Sequence, residues 1–296
     1  VTGPTGVGKS ALALDLAVEC GGEIVGADAS QIYEGLAALT AQPSEEARAS
    51  IPHHLVGFLP LDARFDAARY AAAARSAIGD IQARGKQPIL VGGSGLYLKA
   101  LTHGLADVPQ PDPELRKWVS SLSLAEALFH LGEADPQASE QIDIRNPARV
   151  RRALEIVSIT RQALHISRTN WKESRNEFSG IVLTRVREEL HERIADHVAR
   201  MFEQDVISEV EAARHRASPT AKQAIGFSDI CRLLDGEISE AECQSRVIRA
   251  TRDYAKRQLT WCRNQFTFSE VNLTAKTTQR DSLQAALTAF GACTLC

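Results

Sequence analysis

The chain reads as an α/β protein: a P-loop-containing parallel sheet flanked by helices, with a helical insertion domain. Three observations predict this. "VTGPTGVGKS" at 1–10 has the phosphate-loop spacing G-x-x-x-x-G-K-[ST] and runs straight into a helical pattern. Strand-like and helix-like segments then alternate through residues 1–109, as parallel pairing requires. From 110 to 180 the pattern turns helical, and 181–296 is expected to be a helical part that completes the core.

Taken in order, Ser10–Glu19 ("SALALDLAVE") is expected to be the helix that the loop supports, and Glu23–Gly26 a short strand running out to Asp28. Ala-rich Phe65–Arg84 is strongly helical by propensity and is stopped by Gly85. Ile89–Val91 is a buried strand that enters a Gly-Gly turn and then a helix. Beyond "DVPQPDPELR", helices are expected over Ser121–Gly132, Pro147–Arg161 and Leu190–Arg214. A long one follows from Ser239 to about Asn264, with Ser239 and Glu242 at capping-box spacing. The tail after Phe266 is weakly patterned, and no repeat is visible.

With 44% hydrophobic and 24% charged residues, the chain has the composition of an ordinary globular protein. It has no apolar run long enough to span a bilayer, and no leader is expected ahead of a loop that starts at Gly3. Only Val1 and Thr2 remain of the strand that should feed this loop, so a few residues are expected before them. The six cysteines are scattered, as in a reduced cytoplasmic protein. The Cys293/Cys296 pair has no second pair at zinc-finger spacing.

A net charge of −3 does not advertise nucleic-acid binding, but the distribution does. Between Arg145 and Arg175 the only acids are Glu155 and Glu173, and between Arg246 and Arg263 the only one is Asp253. Either segment alone reads equally well as a solvated helix face.

Four stretches carry chemistry. In the loop Gly3, Pro4, Thr5, Gly6, Val7, Gly8, Lys9 and Ser10, backbone N–H groups converge on phosphate oxygens at a helix N-terminus. Lys9 supplies a point charge, and the Ser10 hydroxyl is placed to ligate Mg²⁺. Alone, such a loop announces ATP, but the best later strand, "PILVGG", ends in glycine instead of a metal-organising aspartate. The carboxylate comes early, as Asp28 in "GADASQIYEG", at a strand end facing the ligand crevice. "VGGSGLY" (91–97) permits close approach of another molecule and offers the Ser94 hydroxyl. In "TRDYAKRQLTWCR" (251–263) and the turn before it, Arg249, Arg252, Lys256 and Arg263 share one helical face, while Ile248, Thr251, Ala255 and Cys262 share another. Trp261 and the arginine density point that helix toward phosphate or nucleic acid.

These stretches together resemble the tRNA dimethylallyltransferases, the isopentenyltransferases that modify tRNA. The matching motifs run in order: Gly3–Ser10, "DASQIY" at 28–33, "GGSGLY" at 92–97, "NPARVRRALE" at 146–155 and "AKRQLTW" at 255–261. "DPELR" (112–116), "ADPQAS" (134–139) and "AIGF" (224–227) also fit, so the resemblance covers nearly the whole chain.

It implies transfer of a dimethylallyl group from dimethylallyl diphosphate, with Mg²⁺, to N6 of the adenosine 3′ to the anticodon in tRNAs reading UNN codons. By the motifs, Asp28 is the base and Ser94 its hydrogen-bond partner. Ala29, Ser30 and Gln31 lie beside a base flipped out of the anticodon loop. Arg116, Ala148, Arg149, Val150, Arg151 and Arg152 contact that loop, and Lys256 and Arg257 grip the stem. The resemblance also implies a cytoplasmic monomer. The sequence departs from the pattern at Ala29 (usually Ser), Ser94 (commonly Thr), Asn146 (usually Asp), and through "GLAALTAQP" at 35–43, where Gln42 replaces a lysine. An isopentenyltransferase acting on free AMP or ATP shares the loop and base but has no need of an arginine-rich insertion. A kinase or ATPase and a non-catalytic RNA-binding module are more distant alternatives.

Overall fold

The structure, a computed structural model, describes residues 1–105, 111–167, 178–274 and 278–291. Residues 107–110 of "DVPQPDPELR", the basic Arg168, Lys172 and Arg175, Glu173, and the Cys293/Cys296 pair lie outside the described residues. The chain divides into two compact units, Val1–Thr102 with Asn176–Cys296, and His103–Arg175.

In the first unit, Gly8 turns at φ 110° and the loop enters α1 (Lys9–Cys20). β1 (Gly22–Gly26) is buried along its whole length, as befits a central parallel strand. Two short helices follow, α2 (Ala37–Thr40) and α3 (Glu45–Ser50), then β2 (His53–His54). α4 (Ala67–Ala83) starts where the Asp66 side chain accepts the Arg69 N–H. It buries Ala67, Tyr70, Ala71, Ala74 and Ile81, a stripe at helical spacing. β3 (Gln87–Val91) leads through the glycine turn into α5 (Gly95–Thr102).

The sequence pattern missed the strand that returns after the insertion, β4 (Ile181–Thr184), although it is fully buried. The stretch expected as one helix over Leu190–Arg214 is two. α10 (Arg187–Glu203) and α11 (Val206–Ala213) are separated at Asp205, whose φ of 62° no continuous helix accepts. α12 (Phe227–Leu234) and the long α13 (Glu240–Gln265, capped by Ser239) follow. The weakly patterned tail folds into β5 (Ser269–Asn272) and α14 (Gln279–Phe290).

Among the described residues the strand pairs are all parallel, in the order β2–β1–β3 and β4–β5. Thr2 bridges both Gly92 and Val182, so the short segment feeding the phosphate loop joins the two sheets at their middle. Apolar cores pack about this sheet. One gathers Val25, Tyr70, Leu98, Val198, Met201 and Val247. Another gathers Val7, Leu12, Leu16, Leu183, Ile194 and Val271.

The second unit is helical: α6 (Pro113–Ser121), α7 (Leu124–Ala134), a 3₁₀ turn at Ala138–Glu140, α8 (Pro147–Thr160) and α9 (Leu164–Ser167). The helix expected from Ser121 is interrupted at Leu122–Ser123, where Ser123 caps α7 with Glu126 as a capping box. Asn146 caps α8, its Oδ1 accepting the Ala148 and Arg149 N–H groups at 3.1 and 3.2 Å. Asparagine and aspartate cap about equally well, so this departure from the motif leaves the helix start intact. Asn146→Asp should therefore leave the thermal unfolding midpoint nearly unchanged, whereas Asn146→Ala should cost about 1 kcal/mol.

Candidate active site

The cradle is built by the turn Gly3–Gly8 and the first residues of α1. Lys9 folds back into it, its ammonium donating to the carbonyls of Gly3 (3.0 Å) and Pro4 (2.8 Å). Burial pushes its pKa down to about 8, and the Asp28 carboxylate pulls it partly back. Ser10 is exposed in the first turn of α1. Two arginines that the sequence reading did not single out brace the loop: Arg185 Nε donates to the Val7 carbonyl (2.8 Å) and Arg193 Nε to that of Gly6 (2.9 Å). Arg185 is in turn held by Glu189.

Asp28 stands two residues beyond β1. Its Oδ1 accepts the Ser30 N–H (2.9 Å), which fixes the plane of the carboxylate. The residues on either side of it are tied to the glycine turn. The Ala27 N–H donates to the Val91 carbonyl (2.7 Å), the Ser94 N–H to the Ala27 carbonyl (3.1 Å), and the Ala29 N–H to Ser94 Oγ (2.8 Å). Ser94 is thus buried in supporting the Asp28 loop. Tyr254 touches both Ser94 and Gln258, and burial keeps its hydroxyl protonated, with the pKa pushed up to about 12.

A cavity of about 490 Å³ joins these parts. Thr5 of the cradle, Asp28, Ala29, Ser30, Tyr254 and Arg257 contribute polar groups, while Leu39, Val198, Met201, Ile225, Val247 and Tyr97 make much of the wall apolar. His197 on α10 also lines it. Gln31 does not: its carboxamide donates to the Thr40 and Ala41 carbonyls and holds α2 in place. Gln42 is likewise used within the loop, donating to the Tyr33 carbonyl and accepting from Arg48, both at 2.7 Å.

The motif AKRQLTW does more than present charge. Gln258 is buried and links the Thr5 N–H to the Gly93 carbonyl, and the Trp261 indole covers Gly95. A Cβ on Gly95 would lie 2.3 Å from Trp261 Cε3, so the ring packs closely on the turn. Arg263 pairs with Glu270, and Arg252 donates to the His191 carbonyl, so the basic face is partly spent within the fold. Lys256 and Arg257 remain exposed.

On the insertion, Arg116, Ala148 and Arg149 are exposed. Val150 is fully buried in that unit's core, so the expected RNA contact from its side chain is corrected to a packing role. Arg151 donates to the Leu122 carbonyl and Arg152 pairs with Glu155, both at 2.9 Å, which ties them to the helical packing of the unit.

The family model described as IPP transferase matches residues 31–265. The chain belongs to the IPP transferase family. This IPP transferase is 40% identical over 276 residues to the tRNA dimethylallyltransferase of Sphingopyxis alaskensis, covering 90% of this chain and 89% of the relative. It is 39% identical over 265 residues to that of Akkermansia muciniphila, with 90% of each chain covered. Among solved structures it is similar to the full-length tRNA isopentenylpyrophosphate transferase of Bacillus halodurans (TM-score 0.73, 31% identity, 98% of this chain and 94% of that one). It is also similar to a eukaryotic dimethylallyltransferase captured acting on tRNA (TM-score 0.81, 25% identity, 97% and 76%). Among the described residues of this IPP transferase, no helix is long and apolar enough to cross a membrane.

Lys9 gives the cradle of this IPP transferase a pH signature. Only the ammonium attracts a diphosphate, and an adjacent anion raises its pKa, so binding takes up a proton wherever the free lysine is neutral. Affinity for inorganic diphosphate should therefore hold below about pH 8 and fall as pH rises through it. Calorimetric titration in two buffers of different ionisation enthalpy, with diphosphate's own protonation subtracted by the same titration of Lys9→Met, should show the lysine taking up a proton at about pH 9 and little at about pH 7.

Proposed function

We propose that this IPP transferase moves a dimethylallyl group from dimethylallyl diphosphate to N6 of the adenosine immediately 3′ to the anticodon, in tRNAs reading UNN codons, releasing diphosphate. The observation that carries this reading is the cavity in which Thr5 of the phosphate cradle and Asp28 meet beside an apolar wall. A kinase needs the cradle but not a lipid-like wall beside it. A branched five-carbon group fits against Leu39, Met201 and Val247, while its diphosphate lies on the loop.

The adenine amine is a weak nucleophile because its lone pair is delocalised into the ring. Asp28 accepts a hydrogen bond from N6 and localises that pair. The N6–C1 bond forms as the allylic C1–O bond breaks, the bonding pair leaves on the diphosphate, and the N6 proton passes to Asp28. Loop amides, Lys9, Arg185 and Arg193 stabilise the departing negative charge. Mg²⁺ suits this site as a partner of the diphosphate. Among the described residues no group of three or more His, Cys, Asp or Glu side chains is placed to hold a metal, so the ion would be held by substrate oxygens and the Ser10 hydroxyl. There it would supply further neutralisation of the leaving group.

On the same reading, Ala29 and Ser30 border the flipped adenine, Arg116, Ala148 and Arg149 lie against the anticodon loop, and Lys256 and Arg257 take RNA phosphates of the stem. The enzyme works as a cytoplasmic monomer. Transfer of label from dimethylallyl diphosphate to an anticodon stem-loop, and not to free AMP, tests the proposal. Label on AMP with an inert stem-loop overturns it.

A further inference from the structure

Gln258 is 165 residues from Gly93 and 253 from Thr5, yet it touches both, donating through Nε2 to the Gly93 carbonyl (2.9 Å) and accepting the Thr5 N–H on Oε1 (2.8 Å). One neighbour is a donor and the other an acceptor, and a carboxamide in this orientation satisfies both at any pH. The fit leaves no slack: a Cβ on Gly93 would lie 2.2 Å from Nε2. Among the described residues, the last backbone hydrogen bond between the loop strand and β3 is Gly92 N–H to the Val1 carbonyl. Beyond it the chain diverges, one branch becoming the cradle and the other the turn whose Ser94 and Val91 hold the residues flanking Asp28. Gln258 closes that divergence.

We propose that Gln258 is a positioning residue that fixes the spacing between the diphosphate cradle and the Asp28 base. This rests on the prenyl-transfer reading, in which cradle and base act on the two ends of one forming and breaking bond. Displacement of reacting groups by about 1 Å costs on the order of 10²-fold in rate. Methionine matches the volume of Gln258 but removes both hydrogen bonds. Gln258→Met should therefore lower kcat about 100-fold, while KM for dimethylallyl diphosphate and for the stem-loop stays within about 3-fold.

Gln258→Glu supplies a second, sharper readout. An ionised glutamate accepts from Thr5 but sets a negative oxygen against the Gly93 carbonyl, whereas its protonated form donates to that carbonyl and replaces the amide. Burial and the facing carbonyl raise the carboxyl pKa above its ordinary value, and the Tyr254 hydroxyl that also touches position 258 stays protonated throughout this range. The ratio of this variant's kcat to the wild type's should then climb as pH is lowered from about 8 to about 6, which a packing role would not produce. Hydrogen exchange supplies a readout that does not need catalysis: in Gln258→Met the amides of 3–8 and of 92–95 should lose protection together, with β1 unchanged. A folded Gln258→Met enzyme with wild-type kcat overturns the inference, as does a rise in KM with kcat preserved. If the wild-type enzyme does not transfer the prenyl group, the functional reading fails. The exchange experiment still decides the strut, and unchanged protection of either segment overturns it.

Discussion

Asp28→Ala lowers turnover of dimethylallyl diphosphate and an anticodon stem-loop by about 10³-fold, and leaves the stem-loop dissociation constant within about 2-fold of wild type. The size follows from the role: a positioned general base is worth on the order of 10²–10⁴ in rate. The selectivity follows from geometry, because the carboxylate is one group in a cavity of about 490 Å³, while the exposed basic residues Arg149 and Lys256 lie on other elements. Asp28→Asn separates basicity from shape. It retains an oxygen to accept the Ser30 N–H (2.9 Å), so the turn survives, but it cannot take the N6 proton. Single-turnover rates should be as low as for the alanine variant. Activity near wild type in either variant removes Asp28 as the base.

Lys9→Met should lower kcat/KM for dimethylallyl diphosphate by about 10²–10³-fold, the range seen when a group aimed at developing negative charge is deleted. The loss should be divided between KM and kcat, since the ammonium meets the diphosphate in the ground state and more strongly as the C–O bond breaks. Hydrogen exchange of the enzyme without substrate gives a second measure of the same group. Lys9 donates to the Gly3 and Pro4 carbonyls, the latter also accepting the Val7 N–H, so the substitution loosens the turn and amide exchange across 3–8 should quicken. Steady-state kinetics with each substrate varied in turn reads the first effect. A Lys9→Met enzyme with unchanged kcat/KM refutes the cradle assignment.

The parts of this site that were legible in the sequence are those whose chemistry is local. The phosphate loop is eight consecutive residues, and Asp28 with its turn is six, so spacing alone exposes them. β4 and β5 were harder. β4 is four residues long, and β5 buries only Val271, so neither shows a period that a reader could weigh. The break at Asp205 was hidden because the apolar stripe continues on both sides, with Val198 and Met201 before it and Val206 and Val210 after. Arg185, Arg193 and Gln258 were invisible as site residues for a different reason. Each acts on a carbonyl or amide more than 160 positions away, and no local pattern records such a contact. Trp261 was legible as unusual but not in its purpose, since an indole beside arginines reads the same whether it stacks on a base or caps a glycine.

The clearance at the glycine turn also bears on how such a sequence can change over time. A side chain at position 95 would run into the Trp261 indole, and one at position 93 would push the Gln258 carboxamide off its two partners. Positions 95 and 261 therefore behave as one heritable unit: a lineage that enlarges the turn there must shrink the helix residue in the same step or pass through a broken intermediate. Selection on a library randomised at 93, 95, 258 and 261 should return small-for-large exchanges paired across 95 and 261, and should keep glycine at 93 with glutamine at 258.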